Sequence, residues 1–231
     1  MRVIGVLGGM SWESTQSYYK AINEGVNHAL GGFHSAPMVL VSVNFADIEA
    51  LQRQGNWQAA GALLAQAAKR IELAGAEGLL LATNTMHNVA PEIEAAIHIP
   101  FLHIADATGE KCHQDGVTRV GLLGTRFTME QDFYKARLKE RFAIDVLTPN
   151  DDDRQAVHDI IFKELCHGQF NESSRQRYLE IIASLHRQGA QAVILGCTEI
   201  ALLVEQRHTP VPLYDTTALH ANKAVAWALG D

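Results

Sequence analysis

Two stretches of the sequence place polar side chains directly after a short run of apolar residues. The run 192–195 leads into Gly196-Cys197-Thr198-Glu199, and the run 78–82 leads into Thr83-Asn84-Thr85. Runs of this kind predict buried parallel strands, and open α/β sheets bind ligands at the carboxyl ends of such strands. A cysteine there can act as a base or a nucleophile, and the N–H groups that open a following helix favour its thiolate. The alternative for Cys197 is a small apolar residue packed at a strand end.

The neighbours of Cys197 restrict the reactions that are open to it. A hydrolase requires a histidine and an orienting acid beside the nucleophile, whereas Thr198 and Glu199 follow Cys197. The eleven histidines show no zinc-ligand spacing, so we expect no metal ion. His87 follows the Thr83-Asn84-Thr85 turn and could reach the site, and a capping or core role is equally open. The expected chemistry is therefore proton transfer or nucleophilic attack.

A third motif, Gly8-Gly9-Met10-Ser11, follows the first predicted strand. Its glycines could let the backbone approach a ligand closely. It is not a dinucleotide fingerprint, because the third glycine and the later acidic residue are missing, and no Gly-Lys-Ser/Thr follows as in a phosphate loop. We therefore expect no cofactor.

The landmarks of the first half of the chain recur in the second half in the same order. The strand that ends at Gly8 matches the one that ends at Gly124, Thr83 matches Cys197, and an Ile-Pro dipeptide matches a Val-Pro dipeptide. The offset is about 115 residues, half of the 231-residue chain, which predicts two copies of one fold unit. Two such units would form a cleft in which Thr83 and Cys197 face one ligand from opposite sides.

Strands alternate with helices throughout, which predicts an α/β fold with a parallel sheet in each half. We expect one α/β domain over residues 1–104 plus 215–231 and a second over residues 105–214. Three helix boundaries depend on particular signals. A capping box at Thr128-Met129-Glu130-Gln131 predicts a helix to about Phe142, the acidic residues 151–153 predict the cap of a helix over 154–166, and a helix over 199–207 follows Cys197.

Composition narrows the class of protein. The formal net charge is −7, which argues against nucleic acid and acidic membrane surfaces as partners. No apolar run approaches the roughly 20 residues of a membrane span. The first residues enter a strand directly and do not resemble a signal peptide. Three cysteines do not form a disulfide framework, so we expect a cytoplasmic protein.

Taken together, Gly8-Gly9-Met10, Thr83-Asn84-Thr85-Met86-His87 and Gly196-Cys197-Thr198-Glu199 resemble the aspartate/glutamate racemase family over essentially the whole chain. The resemblance implies two similar Rossmann-like domains related by pseudo-two-fold symmetry, with the active site in the cleft between them. It implies racemisation of a small amino-acid substrate without pyridoxal phosphate, by two cysteines on opposite faces of the substrate Cα. The second-half cysteine of the family acts on the L-enantiomer and the first-half cysteine on the D-enantiomer. Members are often homodimers, so the resemblance implies that partner too.

The sequence departs from this family at the first catalytic position, which is Thr83. A hydroxyl holds its proton far more tightly than a thiol, whose pKa is about 8.5. We therefore expect the Cys197 thiolate to deprotonate an L-substrate, with slow reprotonation from the Thr83 side and a preference for L-aspartate and L-glutamate. Because enantiomers have equal free energy, kcat/KM must be equal in both directions, and the preference must lie in kcat and KM separately.

A second departure concerns the substrate side chain. Aspartate-specific relatives resemble the region of Ile48 but carry an arginine near it, and they carry a lysine where Cys166 lies here. Lys163 shares the helix face of Cys166 and could supply the cation, as could Gln52 or Arg53 from the first half. The expected substrate-binding residues are Met10, Gln52, Asn84, Thr85, Thr125, Lys163, Thr198 and Glu199, of which Asn84, Thr85, Thr125 and Thr198 suit the α-carboxylate and α-amino groups.

Three alternatives remain open from the sequence. The enzyme could be a racemase of broad specificity, with substrates such as homoserine. It could be a decarboxylase of disubstituted malonates, a reaction of the same superfamily that uses only the second-half cysteine. It could also be an amino-acid-binding protein that has lost a catalytic group.

Overall fold

The structure of the protein, a computed structural model, describes residues 1–230. These residues divide into two compact units. Unit 1 comprises Met1–Ile104 together with the residues from Thr217 onward, and unit 2 comprises Ala105–Thr216. Each unit is described by itself below.

Unit 1 contains four parallel strands and four helices before the chain leaves it. The elements are β1 (Ile4–Gly8), α1 (Trp12–Leu30), β2 (Met38–Ser42), α2 (Phe45–Arg53), α3 (Trp57–Leu73), β3 (Gly78–Leu81), α4 (Ala90–Glu94) and β4 (Phe101–Leu102). A 3-10 turn over Thr85–Val89 precedes α4. The strand order is β2-β1-β3-β4, and Leu7 of β1 lies in register with Leu81 of β3.

Unit 2 repeats this arrangement. Its elements are α5 (Ile104–Gln114), β5 (Arg119–Gly124), α6 (Arg126–Glu130), α7 (Asp132–Phe142), β6 (Asp145–Leu147), α8 (Asp151–Lys163), α9 (Glu172–Arg187), β7 (Ala192–Gly196), α10 (Ile200–Leu203) and β8 (Leu213–Asp215). The strand order β6-β5-β7-β8 is that of unit 1, and all four strands are parallel. The prediction of an α/β fold with two parallel sheets is confirmed.

The last helix, α11 (Thr216–Leu229), belongs to unit 1 from its second residue. Ala221, Ala224 and Ala228 of α11 pack with α1 and the central strands on one side of the sheet, whereas α3 covers a second apolar cluster. Gly78 at the start of β3 lies directly under Trp227, whose ring would be 2.5 Å from a Cβ at that position. The small residues therefore let α11 approach the sheet closely.

Three helix boundaries differ from the sequence prediction. Thr125 is the N-cap of α6 and its side chain accepts from the Thr128 N–H, so Thr128 lies inside the helix and the expected capping box does not form. Asn150 caps α8, and the three aspartates 151–153 lie in its first turn, where carboxylates interact favourably with the helix dipole. The helix expected over 199–207 is only α10, because Val204 adopts an extended conformation.

Within residues 1–230, none of the helices combines the length and the apolar character that crossing a membrane requires.

Candidate active site

Thr83 and Cys197 occupy corresponding positions in their units. Leu81 of β3 lies in register with Leu7 of β1, and Leu195 of β7 lies in register with Leu123 of β5. Thr83 follows Leu81 by two residues and Cys197 follows Leu195 by two residues. Because the two sheets share one strand order, each side chain lies beyond the carboxyl end of the equivalent central strand.

The glycines after β1 are required by contacts within the chain. A Cβ on Gly8 would lie 2.5 Å from the side chain of Thr15, and one on Gly9 would lie 2.2 Å from the Val43 carbonyl oxygen. Gly9 also has φ of +94°, which only glycine adopts readily. Its N–H donates to Thr15 Oγ1 at 2.7 Å. The close backbone approach that the sequence indicates is therefore an approach to α1 and to the end of β2.

Cys197 is half-buried, and its thiol donates a hydrogen bond to Glu199 Oε2 at 2.9 Å. Burial raises the pKa of the Cys197 thiol well above its ordinary value, and the adjacent Glu199 carboxylate raises it further, with a smaller contribution from Cys166. The helix that follows is a single short turn, α10, so it offers little to offset these effects. Burial and the Glu199 carboxylate therefore favour the thiol form of Cys197 over the thiolate.

Two further residues influence the surroundings of Cys197, and the sequence alone places neither of them beside it. Tyr178 of α9 is fully buried, and its hydroxyl donates to the Val157 carbonyl oxygen at 3.2 Å. Burial raises the pKa of the Tyr178 phenol, and the nearby Cys197 raises it further. Cys166 packs against the same apolar cluster as Cys197. Both lie in patterns typical of core residues, so only their position in space distinguishes them.

The backbone around Thr83 is held on both sides. The Thr83 N–H donates to the Leu81 carbonyl oxygen at 2.9 Å, and the Thr83 carbonyl oxygen accepts from His87 Nδ1 at 2.8 Å. Ser14, at the start of α1, donates from Oγ to the Ala82 carbonyl oxygen at 3.2 Å. The half-buried Thr83 side chain thus projects from a turn that is fixed by hydrogen bonds.

The sequence allows His87 either to reach the site or to have a capping or core role, and the structure places its ring in the core. It is 1% exposed and lies against His103, with 4.4 Å between the ring centroids. Its Nε2 accepts from the Ile104 N–H at 3.2 Å. His87 therefore supports the turn that carries Thr83.

Of the remaining expected binding residues of unit 1, two follow Thr83 directly and two lie elsewhere in the chain. Asn84 and Thr85 are buried, and the Asn84 carbonyl oxygen accepts from the His87 N–H at 3.0 Å. Met10 is buried in the apolar cluster beneath α3. Gln52, near the end of α2, is also buried and donates from Nε2 to Met86 Sδ at 2.9 Å.

In unit 2, the ends of β5 and β7 bring three of the expected residues near Cys197. Gly124 and Gly196 are in register, so Thr125 and Cys197 follow adjacent strand ends. Thr198 is half-buried, and Glu199 is buried with its carboxylate on the Cys197 thiol. Thr125 is buried and lies 3.2 Å from Thr128 between their Oγ1 atoms.

The structure does not bring the expected cations into either group of residues. The Lys163 side chain is 72% exposed, and its Nζ forms an ion pair with Asp159 at 3.0 Å. Because α8 ends at Lys163 and Cys166 lies in a 3-10 turn, the shared helix face that the spacing predicts does not exist. Arg53 is likewise exposed and lies 3.9 Å from Glu49.

The described residues 1–230 contain no cluster of three or more His, Cys, Asp or Glu side chains arranged to hold a metal ion. The reactive groups are a thiol paired with a carboxylate in unit 2 and a hydroxyl at the equivalent position in unit 1. A thiol and a carboxylate in contact can exchange a proton. Such groups suit the removal and return of a proton on a small substrate.

Comparisons with known proteins give a consistent picture. Residues 7–224 match the family described as Asp/Glu/Hydantoin racemase. The broad specificity amino-acid racemase RacX of Bacillus subtilis (strain 168) is 24% identical over 237 residues, which cover 97% of each protein.

Two solved structures are similar over nearly the whole chain. A candidate Asp/Glu racemase from Yersinia pestis is 53% identical with a TM-score of 0.94, covering 99% of this chain and 100% of that one. An aspartate racemase homologue from Pyrococcus horikoshii OT3 is 33% identical with a TM-score of 0.87, again covering 99% and 100%.

Proposed function

Because the chain belongs to the Asp/Glu/Hydantoin racemase family and is a cofactor-independent amino-acid racemase, we propose that it interconverts L- and D-aspartate and L- and D-glutamate. The observation that carries the proposal is the equivalence of Thr83 and Cys197 at the ends of β3 and β7. Two equivalent groups acting on opposite faces of one Cα are what inversion by proton transfer requires.

Cys197 is the base toward the L-enantiomer in this proposal. Its thiol first gives up a proton, and the hydrogen bond to Glu199 Oε2 offers the acceptor at 2.9 Å. The resulting thiolate removes the Cα proton, and the electron pair of the C–H bond passes to the substrate carboxylate. The positive α-ammonium group of the substrate stabilises a thiolate beside it, so substrate binding promotes transfer of the thiol proton from Cys197 to Glu199.

Thr83 returns a proton to the opposite face. Since a hydroxyl is much less acidic than a thiol, transfer from the Thr83 oxygen must be coupled to the arrival of another proton at that oxygen from water. This step is slower than abstraction by Cys197. The preference for L-substrates then appears in kcat and KM separately, while kcat/KM stays equal in the two directions.

Polar residues near the two strand ends hold the substrate. Asn84 and Thr85 in unit 1 and Thr125 and Thr198 in unit 2 are buried or half-buried, and they suit the α-carboxylate and α-ammonium groups. Met10, Gln52, Lys163 and Glu199 complete the proposed set, with Glu199 acting chiefly on the Cys197 proton and Lys163 contributing only if its ion pair with Asp159 opens.

A broader substrate range is the second candidate function. Lys163 and Arg53, the cations expected to hold a side-chain carboxylate, are exposed and paired with acids on their own helices. A site without a committed cation discriminates weakly between acidic and neutral side chains. RacX, the relative from Bacillus subtilis, is named a broad specificity racemase. Homoserine and neutral amino acids are therefore the substrates to compare with aspartate and glutamate.

The decisive experiment is incubation with L-glutamate or L-aspartate in heavy water. Mass spectrometry follows deuterium at Cα, and chiral chromatography follows the D-product. We expect deuterium to enter an L-substrate that keeps its configuration faster than the D-enantiomer forms. Cys197→Ser should abolish both signals, Thr83→Ala should slow only the formation of the D-enantiomer, and Thr83→Cys should accelerate it.

Three outcomes would overturn the proposal. If Thr83→Cys and Thr83→Ala leave the ratio of inversion to exchange unchanged, Thr83 is not the second group. Release of carbon dioxide from a disubstituted malonate without Cα exchange in amino acids would identify a decarboxylase. Binding of an amino acid without exchange, unaltered in Cys197→Ser, would identify a binding protein.

The same proposal includes a homodimer. Trp12 and Tyr19 lie two turns apart on one face of α1 and are 64% and 55% exposed, and Phe33 in the following loop is fully exposed. Covering these rings would bury on the order of 400 Å² per protomer, about half of one side of a standard interface. A depression of about 530 Å³ beside them is lined by Tyr19, Asn23 and His34. An aromatic side chain next to such a depression suits a two-fold interface, in which the aromatic side chain of each copy fills the depression of the other.

We also propose a cytoplasmic location. Cys112, Cys166 and Cys197 are all free thiols, which fits a reducing compartment. Secretion of the native enzyme into an oxidising medium would contradict this.

A further inference from the structure

Two histidines of unit 1 use both of their ring nitrogens to hold backbone or side-chain groups near Thr83. His87 contacts the Thr83 carbonyl oxygen through Nδ1 at 2.8 Å and the Ile104 N–H through Nε2 at 3.2 Å. His220 contacts the Leu102 carbonyl oxygen through Nε2 at 2.6 Å and the Tyr18 hydroxyl through Nδ1 at 2.9 Å. The two rings lie 5.9 Å apart between centroids, and both are buried.

The partners of His87 determine its tautomer. A carbonyl oxygen can only accept, so Nδ1 carries a proton and donates it to Thr83. The Ile104 N–H can only donate, so Nε2 carries no proton and accepts from it. His87 is therefore the neutral Nδ1–H tautomer in this arrangement. The proton on Nδ1 is directed to the backbone, so the ring is not placed to give that proton to a substrate.

His220 is assigned in the same way. Its Nε2 donates to the Leu102 carbonyl oxygen, and its Nδ1 accepts from the Tyr18 hydroxyl. The carbonyl oxygen of Leu102 and the N–H of Ile104 are thus each bound by one of the two rings. Together the rings connect α1, α11, the end of β4 and the turn after β3, and they leave Thr83 at a rigid point of unit 1.

The hydrogen bond to the Thr83 carbonyl oxygen restricts the direction of the Thr83 side chain. The peptide group before Thr83 is fixed by its N–H, which donates to Leu81, and the peptide group after it is fixed by His87. With both peptide planes held, the direction of the Cα–Cβ bond is determined, and the hydroxyl is limited to the few χ1 rotamers that a β-branched side chain adopts. Displacement of a reacting group by about 1 Å can reduce the rate of a reaction roughly 100-fold.

We propose that His87 is the positioning residue of the Thr83 face: its neutral imidazole aims the Thr83 hydroxyl by holding the Thr83 carbonyl oxygen. The inference rests on the proposed function, because it assigns His87 to the step that Thr83 performs. It predicts that His87 affects inversion at Cα and does not affect exchange by Cys197.

A pair of variants separates the two hydrogen bonds of His87. His87→Asn places an amide N–H as many bonds from Cα as Nδ1, so it keeps the donor to Thr83 and loses the acceptor for Ile104. His87→Gln reaches toward the position of Nε2, so it keeps the acceptor and loses the donor. Both variants remove the same ring from the same buried site, and each therefore controls for the packing loss of the other.

The measurement is the ratio of D-product formation to Cα deuterium exchange in heavy water, with L-glutamate as substrate and thermal unfolding recorded for each variant. We expect His87→Gln to lower the ratio about tenfold or more and His87→Asn to keep it within about twofold of the original. The rate of Cα exchange should be unchanged in both variants, since Cys197 is untouched.

The outcomes are distinguishable from failure of the proposed function. If Thr83→Ala leaves the ratio unchanged, the role of Thr83 is wrong and so is the inference. If Thr83→Ala lowers the ratio while His87→Gln does not, only the inference is wrong. Equal losses in the Asn and Gln variants that follow their unfolding temperatures would assign His87 to stability alone.

Discussion

At the scale of single residues, the contact between Cys197 and Glu199 has two opposite effects on the thiol in the proposed mechanism. The carboxylate accepts the thiol hydrogen at 2.9 Å and raises the pKa of Cys197. The same carboxylate can receive the proton when the thiol ionises. These two effects oppose each other, because one disfavours the thiolate and the other provides a route to it.

Glu199→Gln tests which effect dominates. Removing the negative charge lowers the pKa of Cys197, and since abstraction needs the thiolate, the rising limb of kcat/KM for L-glutamate should move to lower pH. The control is Glu205→Gln, an exposed glutamate of unit 2 paired with Arg207, which should leave the profile unchanged. A loss of activity at all pH values without a shift of the limb would show that Glu199 is needed as the proton acceptor.

The sequence predicts where Cys197 and Thr83 lie but not what surrounds them. Their position follows from apolar runs that end in polar residues, and such runs are local features. The return of the Glu199 carboxylate onto Cys197 depends on a side-chain conformation, and the support of Thr83 by His87 depends on the placement of Ile104 from the next strand connection. The spacing of Lys163 and Cys166 places both on one helix face only if α8 continues to Cys166, but α8 ends at Lys163.

At the scale of helices and strands, apolar runs in the sequence predict the strands correctly, whereas capping residues do not predict three of the helix boundaries. The strands were found because each is a continuous apolar run, as parallel strands require. Thr125 and Thr128 each lie three residues before another polar residue. Only their position relative to the end of β5 decides which of the two caps α6. The length of α10 depends on the extended Val204, for which the sequence has no glycine or proline signal.

Gly78 offers a test of how closely α11 packs on the sheet. Gly78→Ala places a Cβ 2.5 Å from the Trp227 ring, and overpacking of this kind should lower the free energy of unfolding by about 1–3 kcal/mol. Denaturant titration followed by circular dichroism measures the loss. In a Trp227→Leu background the same substitution should cost less, and equal losses in both backgrounds would show that Trp227 is not the obstacle.

At the scale of the whole molecule, the repeat accounts for the organisation of the enzyme. The same strand order in units 1 and 2 gives each central pair of strands the same free carboxyl end. Because a repeat of about half the chain is visible in the sequence, the two-unit α/β fold could be predicted. The surface proposed for the homodimer could not be predicted, because it depends on which apolar side chains the fold leaves exposed.

The proposed homodimer is tested by mass. The chain of 25.3 kDa should sediment at twice its mass, and Tyr19→Glu combined with Phe33→Glu should give the single-chain mass, since burying two carboxylates at the centre of an apolar interface is strongly unfavourable. Leu73→Glu, which changes a residue that is 86% exposed at the end of α3, is the control. A single-chain mass for the unmodified protein, or a dimer that survives the double substitution, would contradict the proposed interface.

The protonated state of Cys197 has a consequence for the lifetime of the enzyme. Peroxides and alkylating agents attack thiolates, and the first product of peroxide is a sulfenic acid. Burial and Glu199 raise the pKa of Cys197 and so favour its thiol form, and in the proposed mechanism the sulfur is then open to oxidation mainly while substrate promotes its ionisation.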